Sequence, residues 1–316
     1  LKILIIDSHK SSNSNPQVSL HWQNAKILAD HFGGDLIWSY PTVNDNIKSD
    51  YDVIIFCHSS AYSFVSTDWV KNSPNAKLFF LSNDYVLGES MLLWAYVKEA
   101  DKKYTVIANH KMEYSLKANT KWIDRWEVTN LNALIFDPNL TSTFQSSFLS
   151  DFFDDKIKWC CYYGAYRKDR AESFVKYLPS CITSTHQKNI DKFREIGVNS
   201  RFIPRLDILS GGLTKYAASL YIEDKTTHTD YSCLANRFYE ALNSNVPLLF
   251  DADCLNTLTL SGYENIFPKD LIVSSGADIL SKVKMLDGFS WSKEILSMAN
   301  AEKQKCILDI ERIINE

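Results

Sequence analysis

The chain has 316 residues, 45% of them hydrophobic and 23% charged, with a formal net charge of −4. That length suits two domains, each able to bury its own core, and the composition excludes a largely disordered chain. No run approaches the roughly 20 apolar residues needed to span a bilayer, and the opening KILII lacks the long apolar stretch of a secretory signal, so the expectation is a soluble, cytoplasmic monomer with no membrane partner.

In chain order, KILIID (2–7) is a short β-rich run, followed by the polar SHKSSNSNPQ (8–17) and by VSLHWQNAKILADHF (18–32), whose apolar residues recur at helical spacing. The alternation continues through DLIWSY (35–40), DVIIFC (52–57), KLFFLSND (77–84) and YTVIANH (104–110). Continuous apolar runs separated by polar or helical segments predict a parallel sheet covered on both faces.

The polar SDFFDDK (150–156) reads as a linker, after which a second alternation begins. IKWCCYYG (157–164) is a strand, ESFVKYL (172–178) a helix, NSRFIP (199–204) and YAASLYIED (216–224) strands, SCLANRFYEALNS (232–244) a helix and VPLLFDAD (246–253) a strand. The final 291–316 segment is an amphipathic helix. The fold class is therefore α/β, with two Rossmann-like domains facing a central cleft at the carboxyl ends of their strands. The divisions are 1–152, 153–290 and a C-terminal helical segment, 291–316, that returns to the first domain.

Seven cysteines without a CxxC pair, and seven histidines without HxH or HExxH spacing, predict buried thiols and no metal site. DAD (251–253) has the look of a short metal-binding acidic motif but terminates a strand, and reads as an acid pair that aids solubility. The segment Tyr162-Tyr163-Gly164-Ala165-Tyr166-Arg167-Lys168-Asp169-Arg170 ends a strand in glycine and places two arginines at the opening of a helix. Amides at a helix start and arginine forks together suit a phosphate, although a solvated charged turn has the same appearance. Arg237 and Glu240 lie three apart on one helix flank. They form either an i,i+3 ion pair or a diphosphate ligand beside a ribose-binding carboxylate. Asp224 and Asp84 each close a strand at its carboxyl end: Asp224 as a cap or a binding residue, Asp84 as a turn residue or a general base. Lys102, Lys103, Lys111, Lys117, Lys121 and Arg125, with Trp122 and Trp126 between them, are either a solvated face or a surface that tracks a nucleic-acid backbone.

YYGAYRKDRAES (162–173) and IEDKTTHTDYSCLANRFYEAL (222–242), in that order after KILIID, LSND and Trp94-Ala95-Tyr96, resemble the DNA β-glucosyltransferases of T-even bacteriophages, glycosyltransferases of type B (GT-B). The resemblance covers most of the chain. It implies a UDP-sugar donor, UDP-glucose, bound in the C-terminal half. It implies inverting transfer to the hydroxymethyl group of a modified pyrimidine in DNA, such as 5-hydroxymethylcytosine, without an obligatory metal. By position Asp84 matches the catalytic base, Arg167 and Arg237 the diphosphate ligands, Glu240 the ribose-binding glutamate and Asp224 the aspartate near the donor. Gly164 and Ala165 would give the backbone approach to phosphate, and Ile203 would sit near the uracil. Two departures stand out. Arg170 follows Arg167 by three residues where the family has four, and the segment from Asp84 to Trp94 is shorter than the family's, where that region enters DNA beside the extruded base. The alternatives are another donor sugar, a glycan or already glucosylated acceptor, and a non-catalytic nucleotide-binding protein.

Overall fold

The computed structural model describes residues 1–6, 20–37, 50–57, 73–82, 101–109, 123–139, 157–203, 211–223 and 234–316. By packing, residues 1–135 with 302–316 form one compact unit and 136–301 another. A division at 152/153 falls outside the described residues.

In the first unit the strands are β1 (Ile3–Ile6), β2 (Asp35–Ile37), β3 (Val53–Phe56), β4 (Lys77–Ser82), β5 (Tyr104–Ala108) and β6 (Ile123–Val128). They form one sheet in the order β2-β1-β3-β4-β5-β6, every pairing parallel. Successive side chains of a strand point to opposite faces, so ILII and VIIF, apolar at every position, supply both faces at once. Leu4, Ile6, Ile54, Phe56, Leu78, Phe80 and Val106 line one core. Ile3, Ile5, Val53, Ile55, Phe79, Leu81 and Ile107 line the other, where helix α1 (Leu20–Phe32) contributes Ala25, Leu28 and Ala29.

In the second unit the strands are β7 (Ile157–Tyr163), β8 (Cys181–Ser184), β9 (Arg201–Ile203), β10 (Tyr216–Tyr221), β11 (Leu248–Asp251) and β12 (Ile272–Val273). Their order is β12-β11-β10-β7-β8-β9, again all parallel. The helices are α2 (Ala171–Tyr177), α3 (Gln187–Glu195), α4 (Asn236–Asn243), α5 (Leu255–Leu260) and α6 (Gly276–Val283). The chain steps outward from β7 through β8 and β9, returns to the other side of β7 at β10, and steps outward again. The reversal between β7 and β10 leaves a crevice at their carboxyl ends, where ligands of open α/β sheets bind.

Several elements differ from the sequence expectation. The strand expected over 216–224 stops at Tyr221, and the helix expected over 232–244 begins at Asn236 with Ala235 as an N-cap that makes no side-chain bond. The sequence pattern marks no strand at β6, β8 or β12 and no helix at α3, α5 or α6, because these are short or carry charges at strand positions, as in IDRWEV. None of the described helices is long and apolar enough to cross a membrane.

The last helix, α7 (Lys293–Asn315), belongs to the second unit up to Ala301 and to the first from Glu302. Its Cys306, Ile307, Ile310, Ile313 and Ile314 recur every three or four residues and pack on the core shared by α1, β1 and β3. Asp309 accepts a hydrogen bond from Thr129 Oγ1 at 2.9 Å, and Glu316 pairs with Arg125 of β6. Truncating the fully buried Ile310 to Ala removes the centre of that stripe. It is expected to lower the unfolding free energy of the first unit by about 2–5 kcal/mol, measured by chemical denaturation.

Candidate functional site

The switch point of the second sheet gathers a buried charged cluster from three segments: the turn after β7, the end of β10 and the start of α4. Gly164 follows β7 with φ of +156°, and a Cβ there would lie 3.0 Å from the Tyr162 hydroxyl, so both the backbone and the space select glycine. Its N–H donates to the Ser184 carbonyl at 3.1 Å and its carbonyl accepts from Thr185 Oγ1 at 2.7 Å. The Gly164 amide is thereby committed to the β8 end. The next amides, Ala165 to Arg167, donate no hydrogen bond among the described residues.

Aromatic packing holds this turn. Tyr166 sits edge-on to Phe193 at 5.4 Å and against Phe174 at 6.0 Å, and the Tyr162 ring meets Phe174 at 5.5 Å. With Tyr166 anchored inward, Arg167 emerges exposed, without an ion pair among the described residues. It caps a 3-10 turn, Lys168–Arg170, that runs into α2 without a side-chain cap bond.

Arg170 and Arg237 are different in kind. Each guanidinium side chain is only 11% exposed, and both face Glu223, whose side chain is 5% exposed. Glu223 Oε2 is in close contact with Arg170 Nη2, while Oε1 lies 3.8 Å from Arg237 Nε. Arg237 Nη1 also donates to the Ile222 carbonyl at 2.9 Å, and its guanidinium lies over the rings of Tyr162 and Tyr163 at 5.4 and 5.8 Å. Desolvating one such ion costs several kcal/mol unless a partner compensates. Burial works against the Arg237 cation, but Glu223, aided by the tyrosine hydroxyls, outweighs it and holds Arg237 above its usual value. Arg237 Nε and Tyr162 Oη are among the buried polar atoms that make no hydrogen bond among the described residues. Each orphan donor costs about 1–3 kcal/mol, which suits a site whose partner is a ligand.

Glu240 is 8% exposed and is oriented from both sides: Tyr163 Oη donates to Oε2 at 2.6 Å and Asn236 Nδ2 to Oε1 at 3.0 Å. Burial, and after it the Glu240 charge, pushes the Tyr163 phenol well above its usual value. Ile203 ends β9, two strands from β7, where its side chain packs on Cys161, Ile182 and Tyr216. Asp84 and Asp224 lie outside the described residues, as do Trp94-Ala95-Tyr96, Lys111, Lys117, Lys121 and Trp122. The structure thus brings together Gly164, Ala165, Arg167, Arg170, Arg237 and Glu240, and adds Tyr162, Tyr163, Asn236 and Glu223.

Two sequence readings change. Asp251 is 1% exposed and accepts from Tyr177 Oη at 2.6 Å and from the Asp253 amide at 3.1 Å, so the first acid of DAD is a buried turn cap and only the second, Asp253, is exposed, paired with Lys176 at 3.0 Å. Of the basic stretch, Lys102 donates to the Ser73 carbonyl, Lys103 lies 3.7 Å from Asp124, and Arg125 sits on β6 between Glu127 and Glu316. These three are spent within their own unit. Among the described residues no group of three His, Cys, Asp or Glu side chains is placed to hold a metal.

No family model and no curated protein matches the chain. Solved structures do. An alpha-glucosyltransferase in complex with UDP-glucose and DNA containing an abasic site aligns over 100% of this chain and 99% of its own, with a TM-score of 0.58 and 10% identity. An alpha-glucosyltransferase with UDP and a 13-mer DNA containing an HMU base aligns over 99% of each chain, also at 0.58 and 10%. The chain has the type B glycosyltransferase fold. At 10% identity the likeness is one of architecture: two parallel six-stranded sheets, with the chain reversal in each.

Alkali tests the tyrosine packing of this type B fold. Tyr163 and Tyr221 are held protonated in the folded state, above their usual value of about 10, by burial first and then by Glu240 and Glu223 respectively. A raised folded-state value contributes stability that is intact below about pH 10 and is lost as the pH climbs above it, because only the unfolded chain then releases the proton. Phenolate absorbance is expected to show these tyrosines titrating together with alkaline unfolding. Tyr163→Phe is expected to cost about 1–3 kcal/mol at neutral pH by leaving Glu240 without one donor.

Proposed function

We propose that this chain is an enzyme, a UDP-sugar-dependent glycosyltransferase that moves glucose from UDP-glucose to the hydroxymethyl group of a modified pyrimidine in DNA. The observation that carries the reading is the arginine cluster at the switch point of the second sheet, where Arg167 is exposed and Arg170 and Arg237 are buried. A diphosphate is the ligand that such a cluster fits, since guanidinium forks match phosphate oxygens. The fold shared with alpha-glucosyltransferase, whose structures hold UDP-glucose or UDP together with DNA, supports both donor and acceptor class.

In this mechanism Asp84 takes the proton of the acceptor hydroxyl as its oxygen bonds to the anomeric carbon. The bond from that carbon to the UDP oxygen breaks, and the electron pair leaves with the diphosphate. Arg167, Arg170 and Arg237 stabilise that charge, with the amides of Ala165 to Arg167, which donate to no described residue, beside them. Glu240, already oriented by Tyr163 and Asn236, keeps lone pairs that can accept from the ribose hydroxyls. Asp224 is assigned to the sugar and Ile203 to the uracil side, on the resemblance. Residues 1–152 would serve the acceptor and 153–290 the donor. Direct displacement from an α-linked donor gives a β-glycoside.

Two specific observations favour second readings. The fold is shared with alpha-glucosyltransferases, which points to an α-glycoside product and retention. Lys102, held by backbone carbonyls, and Lys103 and Arg125, paired with carboxylates, point to an acceptor other than a DNA backbone. Measuring UDP release with hydroxymethylated DNA, unmodified DNA and no acceptor separates the acceptors, and the anomeric proton coupling of the product reads the stereochemistry. Arg167→Ala is expected to weaken UDP binding on the order of 10- to 100-fold, the loss of one charge-assisted contact. Asp84→Ala is expected to bind UDP normally and to lose transfer; near-original turnover in that variant would remove Asp84 as the base.

A further inference from the structure

We propose that Glu223 sets the nucleotide preference of the arginine cluster, favouring the nucleoside-diphosphate sugar over the free nucleoside diphosphate that remains after transfer. The inference rests on the donor-site reading above and assigns a role to a residue outside that reading. Glu223 directs one oxygen to each of two buried guanidinium groups, so an anion placed on Arg170 and Arg237 also meets the Glu223 charge. Its contact with Arg237 is loose, at 3.8 Å, and Arg237 Nε has no hydrogen-bond partner among the described residues. A counter-ion serving packing alone would saturate that guanidinium; this one leaves a donor for a second anion.

The two nucleotides differ in charge. The terminal phosphate of a free nucleoside diphosphate has a second ionisation near pH 6, so at pH 7.5 it carries close to one more negative charge than the same phosphate esterified to a sugar. Glu223 repels the product by that extra charge. With its side chain 5% exposed, solvent screens little of the effect. At an effective dielectric near 20 and within a Debye length, one unit charge changes relative affinity on the order of tenfold. Glu223 is a positioning and selecting residue. It lets Arg170 and Arg237 stand side by side and makes the site release UDP more readily than it releases the donor.

The test titrates the full chain with UDP and with UDP-glucose by calorimetry at pH 7.5, for wild type, Glu223→Gln and Glu223→Asp, each purified in the presence of UDP and then dialysed. Glu223→Gln is expected to tighten UDP relative to UDP-glucose by roughly tenfold, and Glu223→Asp, which keeps the charge, to hold the wild-type ratio within about threefold. A ratio that Glu223→Gln leaves unchanged while wild type binds both ligands overturns this inference alone. Wild type that binds neither ligand overturns the donor-site reading and this inference with it. A Glu223→Gln chain that stays unfolded even with UDP present, beside a folded Glu223→Asp chain whose ratio departs from wild type, marks Glu223 as a folding residue and also overturns it.

Discussion

A buried carboxylate shared by two guanidinium groups is the interaction around which the second unit's site is arranged. Two arginines with side chains 11% exposed cannot stand side by side without an anion, and Glu223 supplies one from the end of β10. The requirement reaches outward. Arg237 must enter from α4 at a height set by the Ile222 carbonyl, Arg170 from the turn before α2, and the β7 turn must pass between them with a glycine at φ +156°. The aromatic contacts of Tyr162 and Tyr166 keep that turn in place. The parallel sheet makes the convergence possible, because β7 and β10 are neighbours whose carboxyl ends lie side by side although the residues are more than fifty apart in the chain.

Much of this was legible in the sequence, and for identifiable reasons. ILII, VIIF and LLFD are apolar at consecutive positions, the pattern of strands buried on both faces, and they yield the parallel sheets directly. The glycine, aromatic and arginine order of 164–170 marked the β7 turn. Glu223 did not announce itself. It adjoins Asp224 in IED, and nothing in a linear reading distinguishes an acid that turns inward to a pair of arginines from its neighbour. The missing signal was a charge balance: two arginines assigned to one pocket needed a counter-ion, and the acid at the end of β10 was available. Asp251 escaped for the same reason, since its burial comes from Tyr177, 74 residues earlier in the chain. Charged edge strands such as IDRWEV hide from hydrophobic patterns because one of their sides pairs with nothing apolar. Arg125 and Glu127 of that strand pair instead with Glu316 and Arg312 near the end of the chain.

The electrostatics of the cluster also separate two parts of the proposed reaction that would otherwise be confounded. Glu223 keeps Arg237 protonated against the cost of its burial, so the guanidinium charge that the proposed reaction sets against a departing diphosphate stays constant across the physiological range. Tyr163, held protonated by burial and by Glu240, likewise remains a donor to that carboxylate. A site built in this way has its charge stabilisation fixed before the reaction begins, which is the condition under which such stabilisation lowers a barrier without reorganisation. The proton that must move belongs to the acceptor hydroxyl, and in the proposed mechanism it passes to Asp84. The pH dependence of transfer then reports the base, the acceptor and the ionisation of the nucleotide, while the arginines contribute a constant background. In that proposal donor affinity and proton transfer rest on different residues, so each can be altered by substitution without moving the other.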